Sequence, residues 1–76
     1  MMSNPMLGDK VEIMNHSNKK YVGKLGKVSS IGNGIKPTTE TLRGYMPTTE
    51  TESRYNLELE DGQELFNLRE TQIRQL

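Results

Sequence analysis

The sequence lacks cysteine, tryptophan and alanine, and few of its residues can build a hydrophobic core. Without cysteine there is no disulfide framework, no thiolate nucleophile and none of the usual structural zinc sites. Hydrophobic residues make up 32% of the 76 residues, and no apolar run approaches the roughly 18 residues that span a bilayer. We therefore expect one small cytoplasmic domain over residues 1–76, with no membrane segment and a flexible N-terminus over 1–7.

The zero net charge of the chain hides two oppositely charged halves. Residues 1–36 hold six lysines against Asp9 and Glu12, a balance of +4. Residues 37–76 hold four arginines against seven glutamates and Asp61, a balance of −4. The surface is therefore expected to be polarised, with a lysine-bearing and a glutamate-bearing patch side by side.

Alternation of apolar and polar residues predicts strands and an all-β fold. Residues 11–13 alternate around Glu12, and residues 21–31 form a second segment in which Gly23 and Gly26 favour bends. The tail predicts one helical turn over 70–72 and then a short closing strand. The predicted core consists of Val11, Ile13, Val22, Leu25, Val28, Ile31, Tyr55, Leu57, Phe66, Leu68 and Ile73.

The third segment, residues 55–68, predicts a β-hairpin. Two alternating runs flank Asp61-Gly62, which is typical of a two-residue type I′ turn because both central positions need a positive φ. Such a turn sets the register, and a slip of one residue would turn the apolar side chains to the polar face. The inner pairs that it predicts are Leu57 opposite Phe66 and Tyr55 opposite Leu68.

Residues 32–53 form an insertion in which the five residues 37–41 recur at 47–51. We expect a mobile loop, because nothing in it buries enough surface to offset about 1.5 kcal/mol per ordered residue. The alternative is a threonine-rich β-hairpin extension, since threonine favours strands.

Together these segments resemble a KOW domain, the small SH3-like β-barrel of ribosomal and transcription-elongation proteins. The sequence GDKVEI at 8–13 is similar to the first KOW strand, and VGKLGKV at 22–28 is similar to its glycine- and lysine-rich core. Residues 66–76 are similar to the end of NusG-type KOW domains. The resemblance covers residues 8–31 and 54–76, departs from the family at 32–53, and implies a barrel of about five strands that binds RNA or a ribonucleoprotein.

Catalytic machinery is hard to find in this sequence. His16 is the only histidine and lies among turn-forming residues, which is typical of a solvated side chain. Glu58, Glu60 and Asp61 fall on an exposed strand face and turn rather than in an acid–base pair. We expect a binding protein without enzymatic activity, small-molecule substrate, metal or cofactor.

A lysine cluster favours RNA as the partner. Lys19, Lys20, Lys24 and Lys27 fall within nine residues, with Tyr21 among them. Ammonium groups neutralise phosphates, and an exposed tyrosine offers a stacking surface for a base. The alternative is that Tyr21 packs on the domain and the lysines only face solvent. It is supported by the pI of the chain, which is 6.6, whereas dedicated nucleic-acid modules have a pI above about 9.

The insertion offers a second hypothesis, a protein–protein interaction module or a small subunit of a larger complex. Its large side chains are Leu42, Tyr45 and Met46, next to Arg43. Such a segment can dock on a protein or add a strand to it. An aromatic cage for methylated lysine is a third option, for which three Tyr and one Phe supply few walls.

Overall fold

The computed structural model describes residues 4–37 and 50–76, which form five β-strands and two short 3-10 turns. The strands are β1 (Lys10–Ile13), β2 (Leu25–Ile35), β3 (Thr51–Leu59), β4 (Glu64–Arg69) and β5 (Ile73–Gln75). The 3-10 turns are Lys19–Tyr21 and Glu70–Gln72. The turn over 70–72 and the closing strand confirm the prediction from the tail, whereas β2 starts later than predicted because Tyr21 ends the first 3-10 turn.

All neighbouring strands run antiparallel, in the order β4-β3-β2-β1-β5. The prediction of a small all-β fold is therefore confirmed. Within the described residues, β4 and β5 stand at the two edges of the sheet and do not pair with each other, so the sheet does not close into a barrel. We call the face that covers the core the inner face, and the opposite one the outer face.

The core lies on the inner face and is built mainly from alternate residues of β1 and β3 and from Leu65 and Leu68 of β4. Side chains of a strand alternate between the two faces, so every second residue of β3 points inward. The buried hydrophobic residues are Val11, Ile13, Val28, Tyr55, Leu57, Leu59, Leu65, Leu68 and Ile73.

The predicted core is wrong at four positions, where the side chains are exposed: Val22, Leu25, Ile31 and Phe66. Val22 lies in the turn before β2, and Leu25 pairs with Glu12 on the outer face. Ile31 shares the inner face with Tyr55, its cross-strand partner, but lies beyond the part of β2 that pairs with β1.

The β3–β4 hairpin has a three-residue loop in place of the predicted two-residue turn. The N–H of Leu59 donates to the Gln63 carbonyl at 2.7 Å, and the N–H of Gly62 donates to the Leu59 carbonyl at 3.0 Å. Gly62 has a φ of 92°, while Asp61 keeps a negative φ. A three-residue hairpin loop with glycine in the left-handed position has this pattern.

The extra loop residue changes which side chains reach the core. Leu57 pairs with Leu65, not with Phe66. Leu65 is therefore buried, and Phe66 is 64% exposed. The predicted Leu57–Phe66 pair is wrong because a longer loop shifts every facing position by one.

A β-bulge in β4 restores the predicted register farther from the loop. Phe66 and Asn67 together face Asn56, after which Tyr55 pairs with Leu68 as predicted. Asn67 has a φ of 62°, in the left-handed region that asparagine tolerates better than most residues. Its N–H donates to Asn56 Oδ1 at 2.9 Å.

A second bulge lies on the other side of the same residue. The register of β2 against β3 shifts between Val28 and Ser30, which leaves Ser29 as the extra residue. The Ser29 hydroxyl donates to the Asn56 carbonyl at 3.1 Å, and Asn56 Nδ2 donates to Ser30 Oγ at 2.7 Å. Asn56 thus bonds to bulges in both neighbouring strands, and bulges bend the strands that carry them.

Both ends of the predicted insertion are strand. Residues 32–35 pair with residues 51–54 in continuous antiparallel register. The loop interpretation is wrong for these residues, where the hairpin-extension alternative applies. Residues 38–49, including the predicted hairpin tip, lie outside the described residues.

A turn precedes β1 where a flexible segment was predicted over 1–7. Of these residues the structure describes 4–7, and Pro5 is buried. The N–H of Met6 donates to the Asp9 carboxylate at 2.8 Å, and the N–H of Asp9 donates to the Met6 carbonyl at 2.9 Å. These residues are therefore part of the fold.

Candidate functional site

The first 3-10 turn carries two of the predicted RNA-binding lysines. Asn18 caps the turn, since its Oδ1 accepts a hydrogen bond from the N–H of Lys20 at 3.2 Å. Lys19 and Lys20 are both exposed. The turn therefore presents two cations next to each other at the surface.

Tyr21 packs on the domain from the end of the same turn. Its side chain is partly buried and lies against the core. The His16 ring meets it edge-on, with centroids 4.9 Å apart, and Lys20 Nζ lies 5.0 Å from the Tyr21 centroid. The ring is in contact with the core, His16 and Lys20, which favours the packing alternative for Tyr21.

Lys24 and Lys27 lie beside carboxylates. Lys24 Nζ is 3.4 Å from Asp61 Oδ2, and both side chains are exposed, so the ion pair contributes little to stability. The hydrogen bond from the N–H of Gln63 lowers the pKa of the Asp61 carboxyl group, and the ammonium group of Lys24 lowers it to a smaller extent. Lys27 pairs across the sheet with Glu58. The five predicted residues thus do not form one uniformly basic surface.

Four charged residues form a row across the outer face, which we call the charged row. Lys10 of β1 is the partner of Lys27 in β2, Lys27 is the partner of Glu58 in β3, and Glu58 is the partner of Glu64 in β4. Directly paired residues share a face, and all four are exposed. The row therefore reads positive, positive, negative, negative, which places the predicted basic and acidic patches side by side.

An apolar groove of about 470 Å³ lies next to this row. Its apolar lining comes from Leu25, Leu59 and Leu76, and its charged lining comes from Lys10, Lys27, Glu58 and Glu60. Leu25 is 37% exposed and Leu76 is 59% exposed. The N–H of Leu76 donates to the Lys10 carbonyl at 3.0 Å, which holds Leu76 beside β1.

Sequence reasoning did not find this groove. The sequence predicts Leu25 in the core because an apolar residue in a strand is more often buried, whereas the structure has it exposed. The signal that would have found it is the phase of the strand, since Leu25 and Lys27 are two residues apart and therefore share a face.

A second group of charges joins the end of β4 to the extended part of β3. Arg69 Nε donates to Glu52 Oε2 at 2.7 Å, and Arg69 Nη2 donates to Glu52 Oε1 at 3.0 Å. Arg54 Nε lies 3.0 Å from Glu52 Oε2, and Arg54 Nη2 donates to the Ile35 carbonyl at 2.8 Å. The hydrogen bonds from Arg69, ahead of the charges of Arg54 and Lys36, lower the pKa of Glu52 although its burial opposes them. This group supports the strand extension.

We expect Glu52→Gln to lower the free energy of unfolding at pH 7 by about 1.5 kcal/mol, the value of a hydrogen bond to a charged group. The pKa of Glu52 is lowered in the folded state from its ordinary value of 4.5. The stabilisation is therefore full above that value and is lost as the pH falls through the folded pKa. Urea unfolding should show a gap between wild type and variant at pH 7 that closes in acid. Glu60→Gln, at an exposed position in the hairpin loop, is the control; a gap that persists in acid would contradict the assignment.

The predicted protein-binding residues Leu42, Arg43, Tyr45 and Met46 lie outside the described residues. Across residues 4–37 and 50–76 there is no group of three or more histidine or acidic side chains placed to hold a metal ion. The same part of the chain contains no helix with the length and apolarity needed to cross a membrane.

Comparison with known proteins adds no relative. No family model, no curated protein and no solved structure matches this chain. The resemblance to KOW domains therefore stays a prediction from the sequence, and the surface itself must carry a functional proposal.

Proposed function

We propose that this chain is a non-enzymatic module that binds a protein through the groove and the charged row. The groove carries this proposal, because it places exposed leucines between charges of both signs. Protein interfaces likewise combine apolar contact surface with polar, solvent-accessible groups.

The charges at the groove favour a protein over a nucleic acid. Glu58 and Glu64 occupy half of the charged row, and Glu60 also lines the groove. Carboxylates repel a phosphate backbone, whereas nucleic-acid sites gather lysine and arginine on one face. A protein surface can offer groups of both signs to the two halves of the row.

Site-specific photocrosslinking tests this proposal in cell extract. With a photoreactive benzoylphenylalanine in place of Leu25, we expect a discrete protein adduct after irradiation. The same group in place of Val22, which is also exposed but does not line the groove, should give none. Leu76→Asp should reduce the yield at position 25 at least fivefold, because it places a charge in the groove. Equal adducts at the two positions, or none at either, would refute the proposal.

RNA binding through Lys19 and Lys20 is the second candidate. Both are exposed, and neither forms an ion pair within the described part of the chain. The resemblance to KOW domains also supports it. Nuclease treatment of the extract before irradiation separates the candidates, since a protein held through RNA is lost and a protein held by the groove is kept.

A further inference from the structure

We propose that the partner that covers the outer face is a second copy of this chain, related to the first by a two-fold axis. This inference rests on the proposed function and names its partner. It follows from the order of charges in the row formed by Lys10, Lys27, Glu58 and Glu64.

Within one copy this order is unfavourable. Lys10 faces Lys27 and Glu58 faces Glu64, and like charges in directly paired positions destabilise a sheet. Only the central Lys27–Glu58 neighbours attract each other. An alternating order would make every neighbouring pair attractive, so the isolated chain does not account for the order that is present. Local rules are broken in this way mainly at functional sites.

Between two copies the same order is complementary. A two-fold axis that runs parallel to the strands, between β2 and β3, reverses the row of the second copy. Lys27 of each copy then meets Glu58 of the other, and Lys10 meets Glu64. Such a self-complementary patch is what a two-fold interface requires. All four charges gain an opposite partner.

Leu25, one of the leucines of the groove, adds an apolar contact near the proposed axis. Leu25 lies on β2, the strand next to the proposed axis, and two residues from Lys27 on the same face. Neighbouring strands are about 4.8 Å apart and stacked sheets about 10 Å apart, so the two copies of Leu25 face each other across the axis with a sideways offset of one strand spacing. The neutral chain also meets its copy without long-range repulsion.

Charge reversal of each half of the row tests the inference by sedimentation equilibrium. Wild type should approach twice the 8.7 kDa of the single chain, and less so as salt is raised, because salt screens exposed charges. Lys10→Glu/Lys27→Glu and Glu58→Lys/Glu64→Lys should each be monomeric. An equimolar mixture of the two should restore the dimer.

A matched control separates the row from net charge alone. Lys19→Glu/Lys20→Glu changes the net charge by the same amount as Lys10→Glu/Lys27→Glu but leaves the row intact. It should dimerise by itself like wild type. If it instead pairs with Glu58→Lys/Glu64→Lys as strongly as the row variant does, general attraction explains the mixture and the inference is wrong.

A cross-link that does not depend on charge reversal keeps the test valid if a variant fails to fold. Because the chain has no cysteine, Leu25→Cys carries a single thiol, and a short bismaleimide should link two copies. Val22→Cys should not be linked. Wild type that stays monomeric up to about 1 mM, with no link at position 25, overturns the second copy as partner. A groove-specific adduct with another protein in extract would then leave the proposed function standing.

Discussion

Gly26→Val is expected to lower the free energy of unfolding by about 3 kcal/mol, most of what a domain of this size has. Gly26 is buried in β2, between Val11 of β1 and Leu59 of β3. A Cβ atom there would lie 2.7 Å from the Glu58 carbonyl oxygen and 3.0 Å from Leu59 Cδ2. The oxygen belongs to the backbone of the neighbouring strand, so relief of the clash requires β2 and β3 to separate.

Gly32→Ala is the matched control, because it adds a Cβ to the same strand where nothing lies within 4 Å. It should change the free energy of unfolding by less than about 0.5 kcal/mol, or stabilise slightly through the unfolded chain. Urea unfolding followed by far-UV circular dichroism measures both. Similar midpoints for the two variants would show that β2 and β3 do not approach as closely at Gly26 as the structure has them.

Leu57→Ala is expected to cost about 3 kcal/mol, as is usual when a fully buried leucine is truncated and a cavity remains. Leu57 is 0% exposed and lies on β3, between β2 and β4. It pairs with Val28 on one side and with Leu65 on the other, both of which are buried. A cavity at this position is lined by three strands, none of which can move alone to fill it.

Phe66→Ala gives the opposite expectation and tests the register of the hairpin. Phe66 is exposed in the bulge of β4, so its truncation should cost less than about 0.5 kcal/mol. The two-residue turn predicted from Asp61-Gly62 would put Phe66 opposite Leu57 in the core. A loss of several kcal/mol for Phe66→Ala would support that register and contradict the structure.

The hairpin shows how far the sequence alone could lead. Alternation on both sides of Asp61-Gly62 was enough to predict two strands, their order and the Tyr55–Leu68 pair, because these depend on local patterns. The loop length was not predictable in this way. A loop that ends in glycine and a two-residue turn with glycine in second position have the same local sequence, and they differ by one residue in register.

The positions of the bulges could not be predicted from the sequence for a related reason. Asn67 is polar and follows an apolar residue, as it would in a regular strand. In the structure its backbone is left-handed, and its N–H donates to Asn56 Oδ1 on the neighbouring strand. Such bonds join residues from three strands, and no short window contains them.

The candidate site also has a part that the sequence predicts and a part that it does not. The lysines near Tyr21 were found because they are close in sequence, and the structure brings two of the four, Lys19 and Lys20, together on one turn. The charged row was missed because its members come from four different strands. The charged row depends on three strand registers at once. The opposite net charges of the two halves of the chain indicated only that a basic and an acidic patch would be neighbours.

The loop at Gly62 and the bulge at Asn67 have opposite effects on the register of the hairpin. Relative to the register of a two-residue turn, the loop shifts β4 by one position along β3, and the bulge shifts it back. Only the residues between the loop and the bulge are therefore paired in the shifted register. Loss of one loop residue would leave a two-residue turn between the same closing residues, Leu59 and Gln63. Loss of the extra residue at the bulge would leave Asn56 with a single facing residue and the pairs on either side of it unchanged. The hairpin can therefore shorten by one residue at either point while the same side chains of β4 face the core.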